Sequence, residues 1–453
     1  MGTGDEMQLL RLQVSLLRRE ISAIIAGTAA RLRLRTKEDN FMLQGKKILL
    51  GVSGSIAAYK AAECASALTK LGADVHVLMT KNAAEFITPL TFETLTKHRA
   101  AMDTFDRNFE YKVGHISLAT DADALVIAPA SADVIAKLAN GIADDMLTTT
   151  ALACICPKIL APAMNSHMFE NPVTQANLER LRDFGWEILE PESGLLACGV
   201  SGKGRMPAPE RIVEAVVHTA HHSKDMKGLR VLVTAGPTQE DLDPVRYLTN
   251  HSTGRMGYAL AEMAACRGAE VILISGATDL PRPQYVQIVD IRSADDMFNA
   301  VTSVSTSQDI IIKAAAVADF RPATVADNKI KKDSEGPYLS LRMEKTDDIL
   351  LWLGLHRSLN QTICGFSMET ENLVQNSRAK LQKKHVDMIA ANSLRTEGAG
   401  FGTSTNVLTL ITRDREIELP KMSKKEAADR VLDEILAMRK AREEKGEETE
   451  RVY

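Results

Sequence analysis

Short apolar runs rich in β-branched residues recur along this chain, each followed by a stretch of helical periodicity. That alternation predicts parallel sheets covered by helices on both faces. In the first half, Lys46–Val52, Ala73–Thr80, Ala124–Ala128 and Lys158–Ala161 read as strands. Ile56–Leu71, ended by Gly72, and Ala132–Ala139 read as helices between them, and a further helix runs from Pro209 to Ala220. The polar stretch His221–Gly228 reads as a linker. A second series then follows, with strands at Leu229–Val233, Glu270–Ser275, Asp309–Ala314, Thr362–Phe366, Val386–Ala391 and Val407–Thr412, and a final helix from Ser423 to Arg442. The simplest fold is α/β, two doubly wound units in tandem. The expected organisation is an extension at 1–44, a domain at 45–220, a linker at 221–228, a second domain at 229–442 and a charged tail at 443–453.

Composition narrows the function. A length of 453 residues suits two such units. A net charge of -4 gives no electrostatic reason to expect nucleic acid or an anionic membrane as partner, and 4% aromatic content argues against base-stacking surfaces. No apolar stretch approaches the roughly 20 residues needed to cross a bilayer. The cysteines at 64, 154, 156, 198, 266 and 364 are scattered, Cys154-Ile-Cys156 is not a CxxC pair, and no histidines stand at zinc spacing. Neither a disulfide framework nor structural zinc is expected, and a cytoplasmic location is. Leu9–Leu34 is rich in Leu, Ile and Arg at helical spacing, which suits an amphipathic interfacial helix or a targeting peptide. Asp5, Glu6 and Glu20 spoil a transit peptide, and the alternative is an upstream start codon, with Met42 the true beginning.

The motifs carry more. Gly51-Val-Ser-Gly-Ser-Ile-Ala57 joins the first strand to the first helix, and its small residues let backbone N–H groups approach an anion. It is not GxGxxG, and Val77-Leu-Met-Thr80 ends the second strand without an acid. A dinucleotide is therefore disfavoured, while a mononucleotide phosphate such as that of FMN fits; simple tight packing is the other reading. Gly114-His115-Ile-Ser-Leu118 sets a histidine before a short apolar segment, and Pro162-Ala-Met-Asn165 puts an asparagine at a strand's carboxyl end. Ala197-Cys198-Gly-Val-Ser-Gly-Lys-Gly-Arg205 places a cysteine in a glycine-rich loop, which suits the usual buried cysteine poorly.

Taken together, these residues from Lys46 to Val217 resemble the flavin-dependent cysteine decarboxylases that act on phosphopantothenoylcysteine. The resemblance implies a flavodoxin-like fold with FMN held by Ser53, Gly54, Ser55, Thr80 and Ser131. It also implies His115 as base or orienting group, Asn165 as clamp on the substrate carboxylate and Cys198 as proton donor. Asp133 and Asp144 stand where some members of that family carry asparagine.

In the second half the connection from Leu229–Val233 to the helical run Tyr258–Arg267 is far longer than the usual, about 2 to 6 residues. It holds two prolines, several acids, Arg246, Asn250 and a Ser-Thr-Gly-Arg turn. A loop that long and polar, set on a rigid strand and helix, predicts a ligand site. It resembles the signature of phosphopantothenate–cysteine ligases, a likeness that covers Leu229 to Ala437. The resemblance implies a second Rossmann-like domain in which Asn250 turns over an acyl-nucleotide and Lys329 is the catalytic lysine. It further implies CTP held by Lys313, Ala314, Ala315, Asp319, Lys329, Asp347, Asp348, Ile349, Leu350, Phe366, Lys380 and Lys384, with Mg²⁺ on ligands that are not assigned. The family's Lys-Asn-Pro-Asp-Ile motif stands here as Lys345-Thr-Asp-Asp-Ile349.

The two likenesses in one chain imply an enzyme of coenzyme A biosynthesis acting on 4'-phosphopantothenate, cysteine and CTP. They also imply a homo-oligomer with trimeric flavin domains and dimeric ligase domains, which a dodecamer satisfies. Two rivals stay open at this point. One is a flavin decarboxylase for another cysteine-ended substrate with a degenerate second domain; the other is a non-catalytic flavoprotein that regulates a partner.

Overall fold

The computed structural model describes residues 42–105, 114–195, 199, 201–221, 224–331, 339–369, 371–393 and 405–446. The first sheet has five parallel strands, Lys47–Val52, Asp74–Met79, Ala124–Ala130, Lys158–Pro162 and Trp186–Ile188, in the order 2-1-3-4-5. Successive side chains of a strand alternate between its faces, and the two cores follow that alternation. Ile48, Leu50 and Val52 pack with Ala61, Leu68, Ile212 and Val216 of the helices Ala58–Lys70 and Pro209–Ala220. Leu49, with Leu125 and Ile127 of the third strand, packs on the other side against Ile135, Leu147 and Leu178.

The second sheet runs edge to edge through Gln287–Asp290, Glu270–Ser275, Arg230–Ala235, Ile310–Lys313, Thr362–Glu369, Met388–Ser393, Leu408–Thr412 and Glu416–Glu418. The first six are parallel; the last two are antiparallel. The segment expected as one more strand of the winding series therefore reverses it. Hydrophobic alternation reports burial but carries no information on strand direction. Val231 and Val233 face the helices Arg255–Cys266 and Lys424–Lys445, whereas Leu232 and Ile311 face Ala294–Ser305 and Ile349–Leu355. Ser423 opens the last helix with a capping box to Glu426.

The described part of 221–228 is packed, although its composition reads as a solvated connection. Met226 is fully buried and its N–H bonds to the Arg267 carbonyl at 2.9 Å. The Lys224 ammonium donates to the Cys266 carbonyl at 2.7 Å, and Asp225 pairs with the buried Arg267 guanidinium at 2.6 Å. Tyr285 of the second unit donates to Glu187 of the first and stacks on His218 at 3.7 Å. One apolar cluster runs from the first unit through Val213, Val217 and Met226 into Leu260 and Ala264 of the second.

Candidate active sites

In the order 2-1-3-4-5 the winding direction reverses between the first and third strands, and open α/β sheets take their ligands in the crevice above that point. Ser53, Gly54 and Ser55 leave the first strand there, Thr80 leaves the second and Ser131 the third. Ser53 is fully buried; its Oγ donates to the Pro129 carbonyl at 2.8 Å and accepts the Ser131 N–H at 2.9 Å. The Ser53 hydroxyl thus stitches the crevice rim together. Ser131 and Thr80 cap the helices that follow them, accepting from the N–H groups of Val134 and Ala83. A Cβ on Gly54 would stand 2.6 Å from the Cβ of Asn82, so glycine is what lets these two loops meet. Helix Ala58–Lys70 starts without a side-chain cap, so the positive end of its dipole faces the crevice. Asp133 and Asp144, the two departures from asparagine, both pair with Lys137, at 3.4 and 3.1 Å.

Asn165 follows the fourth strand, and its Oδ1 accepts the His167 N–H at 2.9 Å, which opens the helix Ser166–Glu170. The antiparallel hairpin Glu192–Leu195/Ser201–Arg205 is seated on this turn. The Met164 N–H donates to the Gly204 carbonyl at 3.0 Å, and a Cβ on Gly202 would fall 2.3 Å from Ser166 Oγ. Cys198, between the two hairpin strands, lies outside the described residues. His115 sits in the helix Gly114–Asp121. Its Nδ1 and the hydroxyl of Ser166 are buried without a hydrogen-bond partner. Buried polar atoms are nearly always satisfied, so two such orphans ask for a ligand. Together with the uncapped helix and the glycine-lined rim, they fit a polar cofactor and its substrate.

The long loop of the second unit folds back as a hairpin, Gln239–Asp241 against Tyr247–Thr249. Asp243, whose side chain has no exposure, governs its turn. Its Oδ1 accepts the N–H groups of Val245 and Arg246, while its Oδ2 takes the Arg246 guanidinium and the Ile330 N–H at 3.1 Å. Arg246 also donates to the Ile330 carbonyl at 2.9 Å. The guanidinium, with these backbone donors, holds the Asp243 carboxyl well below the usual carboxylate range. The pair thereby clamps the segment that carries the exposed Lys329 onto the long loop.

The loop after the central strand Ile310–Lys313 hangs from hydroxyl groups. Thr234 Oγ1 and Thr238 Oγ1 accept the N–H groups of Ala315 and Ala318, both at 3.1 Å. The Asn250 carboxamide donates to the Ala316 carbonyl at 3.0 Å, which uses one of its two N–H donors. Helix Arg255–Cys266 begins at Gly254 (φ 75°) with no side-chain cap. A Cβ on Gly257 would meet that of Ala235 at 2.5 Å, so glycine lets this helix start hard against the strand end.

Lys313 is the centre of the charge. Burial pushes its ammonium down to about 8; Lys380 and Lys384 act the same way, and Asp348 and Asp319 oppose them. Lys384 bonds to Asp348, which also caps helix Ile349–Leu355 by accepting the Leu351 N–H at 3.0 Å. Burial alone would raise the Asp348 carboxyl, but Lys384 and the helix N–H outweigh it and the net shift is down. Thr346, in the departing motif, ties this loop to the Ala318 carbonyl at 2.6 Å, and Asp347 is exposed. Phe366 is half-buried on the neighbouring strand. The side chains of Ile349 and Leu350 point into the apolar core, which leaves only their backbone for a ligand.

Residues 36–221 match the Flavoprotein family model, and residues 226–438 match the DNA/pantothenate metabolism flavoprotein C-terminal domain. The coenzyme A biosynthesis bifunctional protein CoaBC of Bacillus subtilis (strain 168) is 47% identical over 403 residues, 88% of this chain and 98% of the relative. The chain belongs to the CoaBC family. The CoaBC protein of Escherichia coli (strain K12) is 44% identical over 397 residues, 87% of this chain and 97% of its own. Among solved structures, the C-terminal domain of a CoaBC protein is 41% identical, covering 48% of this chain and 98% of that one with a TM-score of 0.41. As a CoaBC protein the chain is a bifunctional enzyme of coenzyme A biosynthesis, with a flavoprotein decarboxylase half and a ligase half.

Within that CoaBC frame, motif reading missed the Asp243–Arg246 clamp, the hydroxyls of Thr234 and Thr238, and the orphan on Ser166. A signal for the first was present: an Asp-Pro-Val-Arg turn is one an aspartate side chain organises.

Proposed function

We propose that the second domain joins 4'-phosphopantothenate to cysteine with CTP, through an acyl-cytidylate, and that the first decarboxylates the resulting 4'-phosphopantothenoylcysteine to 4'-phosphopantetheine. The observation that carries the ligase half is the half-buried cationic well of Lys313, Lys380 and Lys384, balanced by Asp319 and Asp348 at the carboxyl end of the central strand. Three half-buried ammonium groups around one strand end favour an anion, and a triphosphate supplies one. Lys329 offsets charge that builds on phosphorus and the leaving pyrophosphate, and the second N–H of Asn250 steadies the oxyanion as the cysteine amine attacks. Mg²⁺ would enter on the nucleotide phosphates, as it usually does where a triphosphate is the substrate.

In the first domain FMN, when bound, supplies reversible two-electron oxidation of the substrate's cysteine end, which eases loss of CO₂. Gly54, Ser55 and the uncapped helix Ala58–Lys70 would hold its phosphate, on a rim set by Ser53, Thr80 and Ser131. Asn165 offers N–H donors to the substrate carboxylate, His115 orients or accepts a proton at its orphan Nδ1, and Cys198 returns one. Two catalytic units at 45–220 and 229–442, a homo-oligomer and a cytoplasmic location complete the reading; no helix among the described residues is long and apolar enough to cross a membrane.

The decisive test is to purify the full chain, record flavin absorbance, and supply 4'-phosphopantothenate, cysteine, CTP and Mg²⁺. A yellow protein that releases CMP, pyrophosphate and then CO₂ is expected. A folded, colourless protein that leaves CTP intact would end the proposal.

The charge on Lys313 gives a pH prediction. Bound phosphate favours the ammonium, so CTP affinity should be flat below pH 8 and then weaken, by at most about tenfold per pH unit. The stability effect has the opposite sign. Burying the charged form costs stability below pH 8, and that cost is relieved as pH rises towards 10.5, where only the unfolded chain is still charged. Calorimetric titration with CTP across this range, in wild type and Lys313→Met, checks it; a wild-type profile as flat as the variant's removes the role.

A further inference from the structure

We propose that Asp74, His76 and His98 form a binding site for a divalent transition-metal ion such as Zn²⁺, separate from both nucleotide clefts. Asp74 and His76 are two residues apart on the edge strand Asp74–Met79, so their side chains leave on one face. His98 comes from the far side of helix Pro89–Thr96. Lys97, in the left-handed region at φ 67°, turns the chain there, and Ala101 is then bridged to the strand by its N–H to Val77 and its carbonyl to Met79, at 2.8 and 2.9 Å. The two imidazoles stack with centroids 4.1 Å apart and direct their Nε2 atoms at one carboxylate. The distances are 3.1 Å from His76 to Asp74 Oδ2 and 2.6 Å from His98 to Asp74 Oδ1. All three ligand atoms lie within 4.8 Å of one another.

Two imidazole nitrogens and one carboxylate oxygen, with a fourth position for water, are the donor set of open zinc sites, and imidazole also suits Co²⁺ and Ni²⁺. The groups are half-buried: side-chain exposure is 41% for Asp74, 20% for His76 and 39% for His98. An ion can therefore reach them, yet their backbones are fixed. One nearby cation, Lys47, is paired with Asp121 at 3.2 Å. The site lies at the amino end of the sheet, opposite the carboxyl-end crevice, so the ion is a staple and no reagent. It fastens the return segment Thr96–Ala101 to an otherwise open sheet edge.

The test uses the full chain, freed of metal by a chelator and titrated at neutral pH with Zn²⁺ against a chromophoric competitor, then with Co²⁺ for its visible spectrum. One Zn²⁺ per chain is expected, with a rise in Tm that follows ligand mass action. His98→Ala should weaken binding by at least about tenfold, the size of an outer-shell deletion, and lose the Tm rise while keeping bound flavin and CTP turnover. Should His98→Ala fail to fold, Asp74→Asn serves the same purpose. Unchanged affinity in a folded variant overturns the site, and so does a cobalt spectrum with thiolate-to-metal bands, which would put the ion on cysteine.

Discussion

His115→Phe is expected to remove decarboxylation, by at least about 100-fold, and at the same time to make the protein more stable. The imidazole Nδ1 is buried without a hydrogen-bond partner, on a helix whose Leu118 and Ala119 pack against the core. An unsatisfied buried polar atom costs about 1–3 kcal/mol, and phenylalanine fills the same space without it. The orphan nitrogen costs stability that packing does not need, whereas a role in proton transfer or substrate binding would account for it. CTP-dependent ligation should be unaffected, because it takes place in the other domain. Thermal unfolding and CO₂ release, measured on one preparation, read both effects. Retained decarboxylation within a few-fold removes the catalytic assignment. A fall in Tm alongside lost activity means instead that the ring is structural.

Much of the fold was legible because its signals are local. Ala132–Ala139, Pro209–Ala220 and Glu270–Ser275 form where periodicity places them, and the other expected elements shift by a few residues at their ends, where caps decide; the helices Pro89–Thr96, Pro172–Asp183, Ala294–Ser305 and Leu373–Lys383 were not among those expected. What periodicity could not convey is anything set by two distant segments. The reversal of Leu408–Thr412 against Met388–Ser393 is one case. Met226, buried inside a stretch that composition paints as solvated, is another. His98 meets Asp74 across 24 residues, beyond any spacing rule for metal ligands.

The sites divide the same way. Lys313, Asp319, Asp348, Lys380 and Lys384 were named by resemblance, and the structure draws them around one strand end. Ile349 and Leu350 came with them by motif, but their side chains serve the core. Ser53, read as a cofactor ligand, spends its hydroxyl on joining two strands. A motif names residues that stay together in a family; it does not say which of them touch the ligand and which hold the others in place.

Arg246→Met tests that distinction in the ligase half, where the expected loss is about 100-fold in kcat, with the decarboxylase untouched. Arg246 is a positioning residue: it neutralises the buried Asp243 and donates to the Ile330 carbonyl, and Asp243 in turn accepts the Ile330 N–H. Without the guanidinium the buried carboxylate keeps its backbone N–H donors but loses its counter-charge. The cheapest relief is to open the turn, and that releases the segment bearing Lys329. Arg246→Lys should rescue little, since an ammonium cannot make the forked contact with Asp243 and Ile330 together. Activity alone would not separate this from direct contact with substrate, so the second readout is tryptic cleavage after Lys329 and Lys331, which should quicken in the variant. The third is acid stability. A carboxyl held well below its ordinary 3.8 contributes stability that is complete above that value and is lost only as pH falls through the lower, folded one. Wild type should therefore keep this contribution in mild acid, and Arg246→Met should unfold at a higher pH. Lost ligation with unchanged cleavage and unchanged acid unfolding would mean that Arg246 meets the substrate itself, and the clamp would then be incidental to catalysis.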